Sequence, residues 1–431
     1  MNTKTMISLK KPGGPFVRPD GLRVRSTILC LLLLTIVMGV SSPIKAIPLF
    51  ARKYNTTCFT CHTTEPLLND FGRRFQANGY NLPGSSSDKE AHSDQTTFPI
   101  GLLSLPMFSQ TRVTDNLAGT PTMTNTSFSG IEVALFSAGS LGSHFSYFTE
   151  IPVAISNGAT TIEVNDAHLL YTDVLGDGLG NLNFRLGKLR FFIPFLPNTL
   201  LANADPLIYG YHAIPDGRVA ANDLSFAEPT FGASAFGMLP QLFDGLRWEV
   251  GFTGGNNSDI DLKTSRAFFA SLNQTFYVNN APLRIGAIYY GGQQDITDTS
   301  ISATAWSNHV TRAGVDIEIY DPWTKRFDLF GEYLFALDNN IDNANGNRNM
   351  GGGFVGLNII ILPEKFYIYG RVDYMKAKET ADIQRQVDLG FRYHLRPNVV
   401  LTGVCTLMNE TLPEIIDQSS TTFGMGVLFG F

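Results

Sequence analysis

The sequence is poor in cysteine, in charge and in long apolar runs. It contains 4 cysteines in 431 residues, and charged residues make up 16% of the chain. So few cysteines cannot form the disulfide framework that holds small exported domains together. The apolar run at 28–40 has thirteen residues, and no later run approaches the roughly twenty that a membrane-spanning helix needs. The sequence therefore argues against a disulfide-rich fold and against a helical membrane protein.

The first 46 residues have the composition of an export signal. They hold seven of the 32 basic residues and one of the 38 acidic residues, followed by the apolar run and a polar stretch that ends at Ala46. We predict cleavage near Ala46, and removal of this leader leaves a net charge of −12. An acidic chain is a poor ligand for nucleic acid and suits cationic solutes or donors.

Shortly after the leader, the chain reads Cys58-Phe59-Thr60-Cys61-His62. This is the c-type haem attachment signature. Two cysteines bind one haem as thioethers, and the adjacent histidine reaches the iron as proximal ligand. Cys58, Cys61 and His62 are therefore the predicted cofactor-binding residues, with His62 as the metal ligand of one covalently attached haem c.

Other interpretations of this motif need partners that the sequence does not offer. A zinc site would need two more ligands at metal spacing, and the remaining cysteines, Cys30 and Cys405, are isolated. A thioredoxin-like Cys-x-x-Cys would open a helix inside a βαβ unit, and no such unit follows. A disulfide between Cys58 and Cys61 stays open as an alternative, but it leaves His62 without a role.

From about Ile100 onward the chain divides into segments of some ten residues that are rich in Phe, Tyr, Val, Ile and Gly. We count sixteen, and the connections after even-numbered segments are mostly short whereas those after odd-numbered segments are mostly long and polar. This asymmetry is typical of an outer-membrane barrel with short periplasmic turns and long outer loops, and it places both termini in the periplasm. The segments begin near Ile100, Phe128, His144, Ile162, Leu182, Phe226, Leu246, Ser265, Pro282, His309, Arg326, Gly351, Phe366, Gln386, Val399 and Thr422.

The last ten residues read as a lipid-facing strand. One face carries Phe423, Met425, Val427, Phe429 and Phe431, and the other is mostly Gly and Thr. Such alternation, ending on an aromatic residue, is typical of an outer-membrane barrel and not of a soluble sheet, where the apolar edge would be exposed.

Between the leader and the barrel, residues 47–83 are too few to bury a haem unaided, so we expect the barrel to complete the pocket. The stretch 65–75 predicts one amphipathic helix with Thr64 as its cap and an end at Asn78-Gly79. Its apolar face would lie either against a porphyrin or against the barrel wall. That face contains Leu67, Leu68, Phe71 and Phe75. Residues 84–99 include a Gly/Ser-rich run that predicts a flexible linker.

Three stretches of this region carry a resemblance: 50–53, the motif at 58–62, and 66–80 with Pro66-Leu67-Leu68-Asn69-Asp70-Phe71-Gly72 and Asn78-Gly79-Tyr80. Together they resemble the start of the outer-membrane monohaem cytochrome-porin fusions, which include iron-oxidising cytochromes. The resemblance implies that the haem lies in the barrel and passes electrons between an extracellular donor, often Fe(II), and a periplasmic soluble c-type cytochrome. Beyond the first eighty residues it covers only length, barrel architecture and the terminal aromatic residue.

The sixth iron ligand stays open at this stage. Met107 is a candidate by proximity, although its parity with Leu103 favours a lipid-facing side chain; His92, His168 and Met123 are further candidates. Two outer loops also stand out. The loop 338–346 has oxygen ligands at alternate positions but lacks the closing Glu of a calcium loop, which favours a solvated loop, as at Asp295 and Asp298. The stretch 187–195, which opens the longest loop, predicts either a packed segment that constricts the lumen or an aromatic girdle.

The sequence thus predicts an all-β chain with an antiparallel outer-membrane barrel of about sixteen strands and a small α-helical monohaem cytochrome c segment. The domains are a signal peptide at 1–46, the cytochrome segment at 47–83, the linker at 84–99 and the barrel at 100–431. The leading hypothesis is electron transfer with Fe(II) oxidation in the outer membrane, in contact with its lipid. Alternatives are a haem enzyme with an open sixth iron position and a transport porin with a haem plug.

Overall fold

A closed antiparallel β-barrel accounts for most of the chain. The computed structural model describes residues 49–54, 56–64, 67–82, 100–117, 120–128, 132–142, 144–156, 159–176, 182–193, 195, 206–209, 229–239, 245–254, 266–298, 304–339, 347–378, 383–412 and 416–430. The predicted signal peptide at 1–46, the linker at 84–99 and Phe431 lie outside the described residues.

Nineteen strand segments close the barrel, and they form sixteen strands. Three strands are interrupted: Ile100–Ser104 and Met107–Asp115 lie end to end along Ile416–Gly430, Thr120–Phe128 and Glu132–Ser140 lie along that interrupted strand, and Ala159–Ile162 and Asp166–Tyr171 both pair with Phe145–Ser156. The segments are β3 Ile100–Ser104, β4 Met107–Asp115, β5 Thr120–Phe128, β6 Glu132–Ser140, β7 Phe145–Ser156, β8 Ala159–Ile162, β9 Asp166–Tyr171, β10 Asn183–Leu189, β11 Thr230–Leu239, β12 Leu246–Thr253, β13 Arg266–Val278, β14 Ala281–Asp298, β15 Thr304–Tyr320, β16 Phe327–Asp338, β17 Arg348–Leu362, β18 Phe366–Ala377, β19 Ile383–Arg396, β20 Val399–Leu412 and β21 Ile416–Gly430. All sixteen predicted strands are confirmed.

Side chains alternate between an apolar outer face and a lumen face, because successive residues of a strand point to opposite sides. Among the outward side chains, Val315 is 59% exposed and Val355 is 60% exposed, whereas the inward Asp316 is 3% exposed. The terminal strand follows the same pattern, with Phe423 and Met425 outward and exposed. A closed barrel with an apolar exterior satisfies its backbone hydrogen bonds internally and is the β-structure that spans the bacterial outer membrane.

Short turns define one end of the barrel. The β13–β14 hairpin turns on Asn279 and Asn280, whose φ angles are 48° and 62°. Two consecutive left-handed residues match the twist of flanking strands, and asparagine tolerates this conformation better than most residues. By the rule that short turns are periplasmic, this end faces the periplasm.

At the opposite end, one predicted loop proves to be mostly strand. Asp295 and Asp298 were expected in a solvated outer loop, but β14 continues to Asp298 and β15 begins at Thr304, with Asp298 paired to Thr304. The hairpin therefore extends the sheet, because the pairing between β14 and β15 continues through these polar residues.

The N-terminal part of the described chain, residues 49–82, is called the plug segment below. It contains helix α1 Leu49–Lys53, a 3₁₀ turn Cys58–Thr60, strands β1 His62–Thr64 and β2 Leu67–Leu68, and helix α2 Asp70–Ala77. Among the described residues, no helix is long and apolar enough to cross a bilayer.

Candidate functional site

The three predicted haem-binding residues lie on one tight turn of the plug segment. Cys58 opens the 3₁₀ turn and is 8% exposed; Cys61 follows that turn, and His62 begins β1. Neither cysteine forms a disulfide, so the alternative of a bond between them is not formed in this structure. Burial raises the pKa of the Cys61 thiol.

Asn69 ties this turn to helix α2. Its backbone N–H donates to the Cys61 carbonyl oxygen at 2.9 Å, and its side-chain amide donates to the carbonyl oxygens of Phe59 at 3.3 Å and Thr60 at 3.1 Å. Its side-chain oxygen accepts a 2.9 Å hydrogen bond from the Gly72 N–H, which makes Asn69 the N-cap of the helix. One side chain therefore fixes both the helix start and the motif backbone.

The helix can approach the motif this closely only because residue 72 is glycine. A Cβ at Gly72 would lie 2.1 Å from the Cys61 carbonyl oxygen, which is inside the van der Waals contact distance. The first turn of α2 thus packs directly on the backbone between the second cysteine and His62.

The predicted helix boundaries are corrected at one end. Thr64 is not the cap: it ends β1, and the helix starts at Asp70 because Asn69 supplies the capping oxygen. The predicted end is confirmed, since Asn78 is the C-cap and Gly79 has a φ of 63°.

The predicted apolar face of that helix is divided. Leu67 and Leu68 lie in β2, and Leu67 is 2% exposed within an apolar cluster of the lumen. Phe75 is 5% exposed in an aromatic cluster of the plug segment, while Phe71 is 37% exposed. Leu67 and Phe75 pack on protein, Leu68 is half-buried, and Phe71 is the exposed side chain of this set.

The motif contacts the barrel wall at its short-turn end. The Cys58 sulfur lies 3.8 Å from the carbonyl oxygen of Pro397, in the turn between β19 and β20. The ring of Phe59 lies 5.1 Å from the His394 ring and 6.0 Å from the Tyr367 ring, measured between centroids. The plug segment therefore sits inside the barrel, near its periplasmic end.

Helix α2 is held to the wall by charge. Arg73 is 7% exposed and makes an ion pair with Glu318 of β15, which also accepts a 3.1 Å bond from Arg284 of β14. A buried ion pair with satisfied hydrogen bonds orients its element strongly, because separating the partners would leave a buried charge unpaired. Arg73 therefore fixes the rotation of α2 against β14 and β15.

An aromatic stack joins the plug segment to the opposite side of the wall. The ring of Tyr80 lies between those of Phe50 and Phe148, at centroid distances of 5.1 and 5.3 Å. Tyr80 has a φ of 62°, which an ordinary side chain rarely adopts. Next to it, the side-chain amide of Asn81 donates to the Ser146 hydroxyl at 3.4 Å. Contacts on two sides thus hold the plug segment in the lumen.

The long loop that follows β10 also enters the lumen, which confirms a packed constricting segment in place of an aromatic girdle. Phe191 stacks on Phe269 of the barrel at 3.9 Å, and Phe195 packs on Phe330. Further along, the Tyr209 hydroxyl donates to Glu332 at 2.6 Å. The described loop residues share one apolar cluster with Leu67, so loop and plug segment pack on a common surface.

Several charged side chains of the lumen are buried in ion pairs. Arg312 is 2% exposed and Asp388 is 0% exposed, whereas the charges that line an open porin channel face water. The buried pairs are Arg185–Glu249, Arg284–Asp316, Arg312–Asp338, Arg371–Asp373 and Arg371–Asp388.

The sixth-ligand candidates fall in different places. Met107 lies opposite Gly426, on the lumen side of β21, so the expected lipid-facing orientation is wrong. Met123 is 53% exposed, and His92 lies outside the described residues. His168 is buried and its ring stacks on Phe148 at 5.6 Å.

Sequence reasoning missed His394, Asn69 and the pairing of Arg73 with Glu318. His394 is 5% exposed and contacts the motif through Phe59, but more than three hundred residues separate them in the chain. The capping role of Asn69 could have been read from its place before Asp70, since asparagine is a preferred N-cap residue.

The predicted loop 338–346 gives no support for a cation site. Asp338 is paired with Arg312 at 2.9 Å, and the side-chain oxygen of Asn339 accepts a bond from the His309 N–H at 2.8 Å. Residues 340–346 lie outside the described residues. In the part of the chain that is described, no three His, Cys, Asp or Glu side chains group as metal ligands.

Comparison with known proteins identifies the barrel. The structure resembles OprB of Pseudomonas putida at high pH, with a TM-score of 0.52, 11% identity, and coverage of 77% of this chain and 94% of that one. It resembles OmpF of Salmonella typhi in complex with daunomycin, with a TM-score of 0.51, 11% identity, and coverage of 77% and 97%. The anion-selective porin of Comamonas acidovorans gives a TM-score of 0.50, 12% identity, and coverage of 77% and 99%.

The barrel has the porin fold. No protein-family profile matches the sequence, and no curated protein is similar to it. At these identities the porin likeness shows the fold alone, so the function must be argued from the plug segment and the lumen.

Proposed function

We propose that this chain is an outer-membrane c-type cytochrome built on a porin barrel. Cys58 and Cys61 would hold one haem as thioethers, and His62 would be its proximal iron ligand. The observation that carries the proposal is the arrangement of this motif: two cysteines outside any disulfide and a histidine lie on one turn, which Asn69 binds to a helix that is paired with the barrel.

The residues around the motif fit a flat apolar group. Phe59 lies within the motif, the accessible Phe71 follows it on α2, and the barrel contributes His394 and Tyr367 beside the Phe59 ring. Aromatic side chains beside a thiol pair suit a haem, because most of its surface is apolar. A bound haem would supply a one-electron couple at its iron.

We propose that this haem carries electrons across the outer membrane. One electron would pass from an extracellular donor, proposed to be Fe(II), which becomes Fe(III), to an oxidised periplasmic soluble c-type cytochrome, which becomes reduced. The resemblance of residues 50–80 to cytochrome-porin fusions supports this donor and this acceptor. The site near the short-turn end favours exchange with the periplasmic partner.

Solute transport is the second candidate, because the barrel has the porin fold. The buried lumen charges weigh against it. Arg312 and Asp388 are at most 2% exposed, and a conducting lumen of this kind would leave such groups in water. The plug segment and the constricting loop both occupy space that an open porin leaves to solvent.

The test is haem content and its reduction. The protein is expressed with a cytochrome c maturation system, and haem is measured by the pyridine haemochrome spectrum. We expect one haem per chain in the wild type, none in C58A/C61A, and unchanged content in the control C405A, whose cysteine lies on β20. Prompt reduction by Fe(II) from a low-spin spectrum supports the proposal, while a chain that carries no haem refutes it.

A further inference from the structure

Three neighbouring turns at the short-turn end carry a group of exposed cations, called the basic rim below. The β15–β16 turn contributes Lys325 and Arg326, the β17–β18 turn contributes Lys365, and the β19–β20 turn is preceded by Arg396. These hairpins follow one another around the barrel, because β16 pairs with β17 and β18 pairs with β19. The cations therefore lie along one continuous arc of the periplasmic rim.

Little negative charge offsets this arc. In the described turns that form it, the exposed acid is Glu364. Asp321 is 1% exposed, and its carboxylate accepts hydrogen bonds from the N–H groups of Trp323, at 2.9 Å, and Thr324, at 3.1 Å. The Asp321 carboxylate is therefore buried in the turn and does not face a partner. The arc is basic, although the net charge of the chain without the leader is −12.

The basic rim lies beside the predicted haem attachment site. The Cys58 sulfur is 3.8 Å from the Pro397 carbonyl oxygen, one residue after Arg396. The backbone N–H of His394, whose ring contacts Phe59, donates to the Lys365 carbonyl oxygen at 2.8 Å. A molecule that binds these turns is brought to the edge of the motif.

We propose that the basic rim is the docking surface for an acidic face of a soluble periplasmic electron carrier. This inference rests on the proposed function and adds the chemistry of the partner. Opposite charges steer encounter and orient the two proteins, and they raise association rates by about 10-fold to 1,000-fold at low salt. The rim cations would thus bring the redox centre of the carrier to the side of the barrel where Cys58 lies.

The test measures electron exchange with carriers of opposite charge. Haem content is established first by the pyridine haemochrome spectrum. The reduced, detergent-solubilised holoprotein is then mixed in a stopped-flow instrument with plastocyanin, an acidic copper protein, or with basic mitochondrial cytochrome c. Ionic strength is varied from 0.01 to 0.15 M, over which the Debye length falls from roughly 30 to 8 Å.

A rim variant and a matched control make the test specific. The rim variant is K325Q/K365Q/R396Q, which leaves Arg326 in place because its guanidinium donates to the Ile361 carbonyl oxygen at 2.9 Å. The control K376Q/K378Q/R385Q removes three exposed cations at the opposite end of the barrel. Heat-modifiable mobility in gels checks that both variants fold.

We expect the wild type and the control to react with plastocyanin about 10-fold more slowly at the higher ionic strength, and the rim variant to be slow throughout. A rim variant that keeps the wild-type rate and salt dependence overturns the docking surface while leaving the haem proposal intact. A rim variant that keeps the wild-type rate of electron exchange but loses bound phosphatidylglycerol also overturns it, since the rim then contacts lipid. A chain without haem overturns the proposed function, and the docking surface with it.

Discussion

At the scale of single residues, the motif depends on two positions that carry no redox chemistry. Asn69 supplies three side-chain hydrogen bonds that fix the backbone of the turn and the start of α2. Gly72 allows the helix to touch the Cys61 carbonyl oxygen. Both act by positioning, so their substitution should disturb the motif without removing any group that would bind haem.

We expect Asn69→Ala to destabilise the plug segment by about 1–2 kcal/mol through the lost cap. The backbone at Phe59 and Thr60 should also become more mobile, because the hydrogen bonds from the Asn69 amide are lost. The readout is the rate at which a protease cleaves the plug segment in the folded barrel. Thr57→Ala is the control, because Thr57 precedes the 3₁₀ turn without a side-chain cap. Equal cleavage of both variants would contradict the role of Asn69.

We expect Gly72→Ala to push α2 away from the motif, because its Cβ would meet the Cys61 carbonyl oxygen at 2.1 Å. Haem incorporation and protease resistance should both fall. Gly139→Ala is the matched change, since the nearest atom to its Cβ would be a Tyr147 ring carbon at 3.5 Å, which is ordinary contact. Wild-type haem content in Gly72→Ala would show that the close approach is not required.

At the scale of elements, helix α2 carries two adjacent arginines with different environments. Arg73 is buried and paired with Glu318 of the barrel. Arg74 pairs with Asp70 of its own helix at 2.9 Å and donates to the Tyr277 hydroxyl of β13 at 3.0 Å, and its side chain is 36% exposed. Substitutions at the two positions therefore compare a buried ion pair with a more exposed pair on the same helix.

We expect Arg73→Gln to weaken the attachment of the plug segment by about 2–3 kcal/mol, because Glu318 loses one charged hydrogen bond but stays paired with Arg284. Arg74→Gln should change it by less than about 1 kcal/mol, as surface pairs do. Urea dependence of plug-segment proteolysis in the intact barrel gives both values. Similar shifts for the two variants would mean that the Arg73 pair does not anchor the helix.

At the scale of the whole molecule, plug segment and loop occupy the lumen of a barrel that has the porin fold. Leu67 of the plug segment and Phe191 of the loop belong to one buried cluster with barrel side chains. The barrel therefore holds the plug segment and the loop in its lumen, where several of its charged side chains form buried ion pairs. This arrangement separates the chain from the open porins that share its fold.

We expect the wild-type protein in a planar lipid bilayer to conduct far less than an open sixteen-stranded porin. Deletion of 49–82 should raise the conductance, but only in part, because the loop residues around Phe191 and Tyr209 remain in the lumen. Single-channel recording at fixed salt measures both. A wild-type conductance equal to that of an open porin would contradict a filled lumen.

The barrel was predictable to the level of strand number, because alternation and turn chemistry are local signals. Asn279-Asn280 and the strand at 423–430 illustrate this, since each is determined by neighbours in sequence. The site was predictable only in its motif. The contacts of Arg73 with Glu318 and of Phe59 with His394 join residues hundreds of positions apart, and no local pattern encodes them. Helix α2 began later than expected because Asn69 was a stronger cap than Thr64.

The burial of Cys58 bears on the order of assembly. Its sulfur faces the Pro397 turn, and 8% of the residue is exposed. A maturation enzyme therefore could not reach Cys58 once the barrel has closed around it. If the two thiols receive a haem as proposed, that step must come while the exported chain is still unfolded in the periplasm, before insertion. Haem attachment would then precede membrane insertion, and insertion would enclose the haem in the barrel.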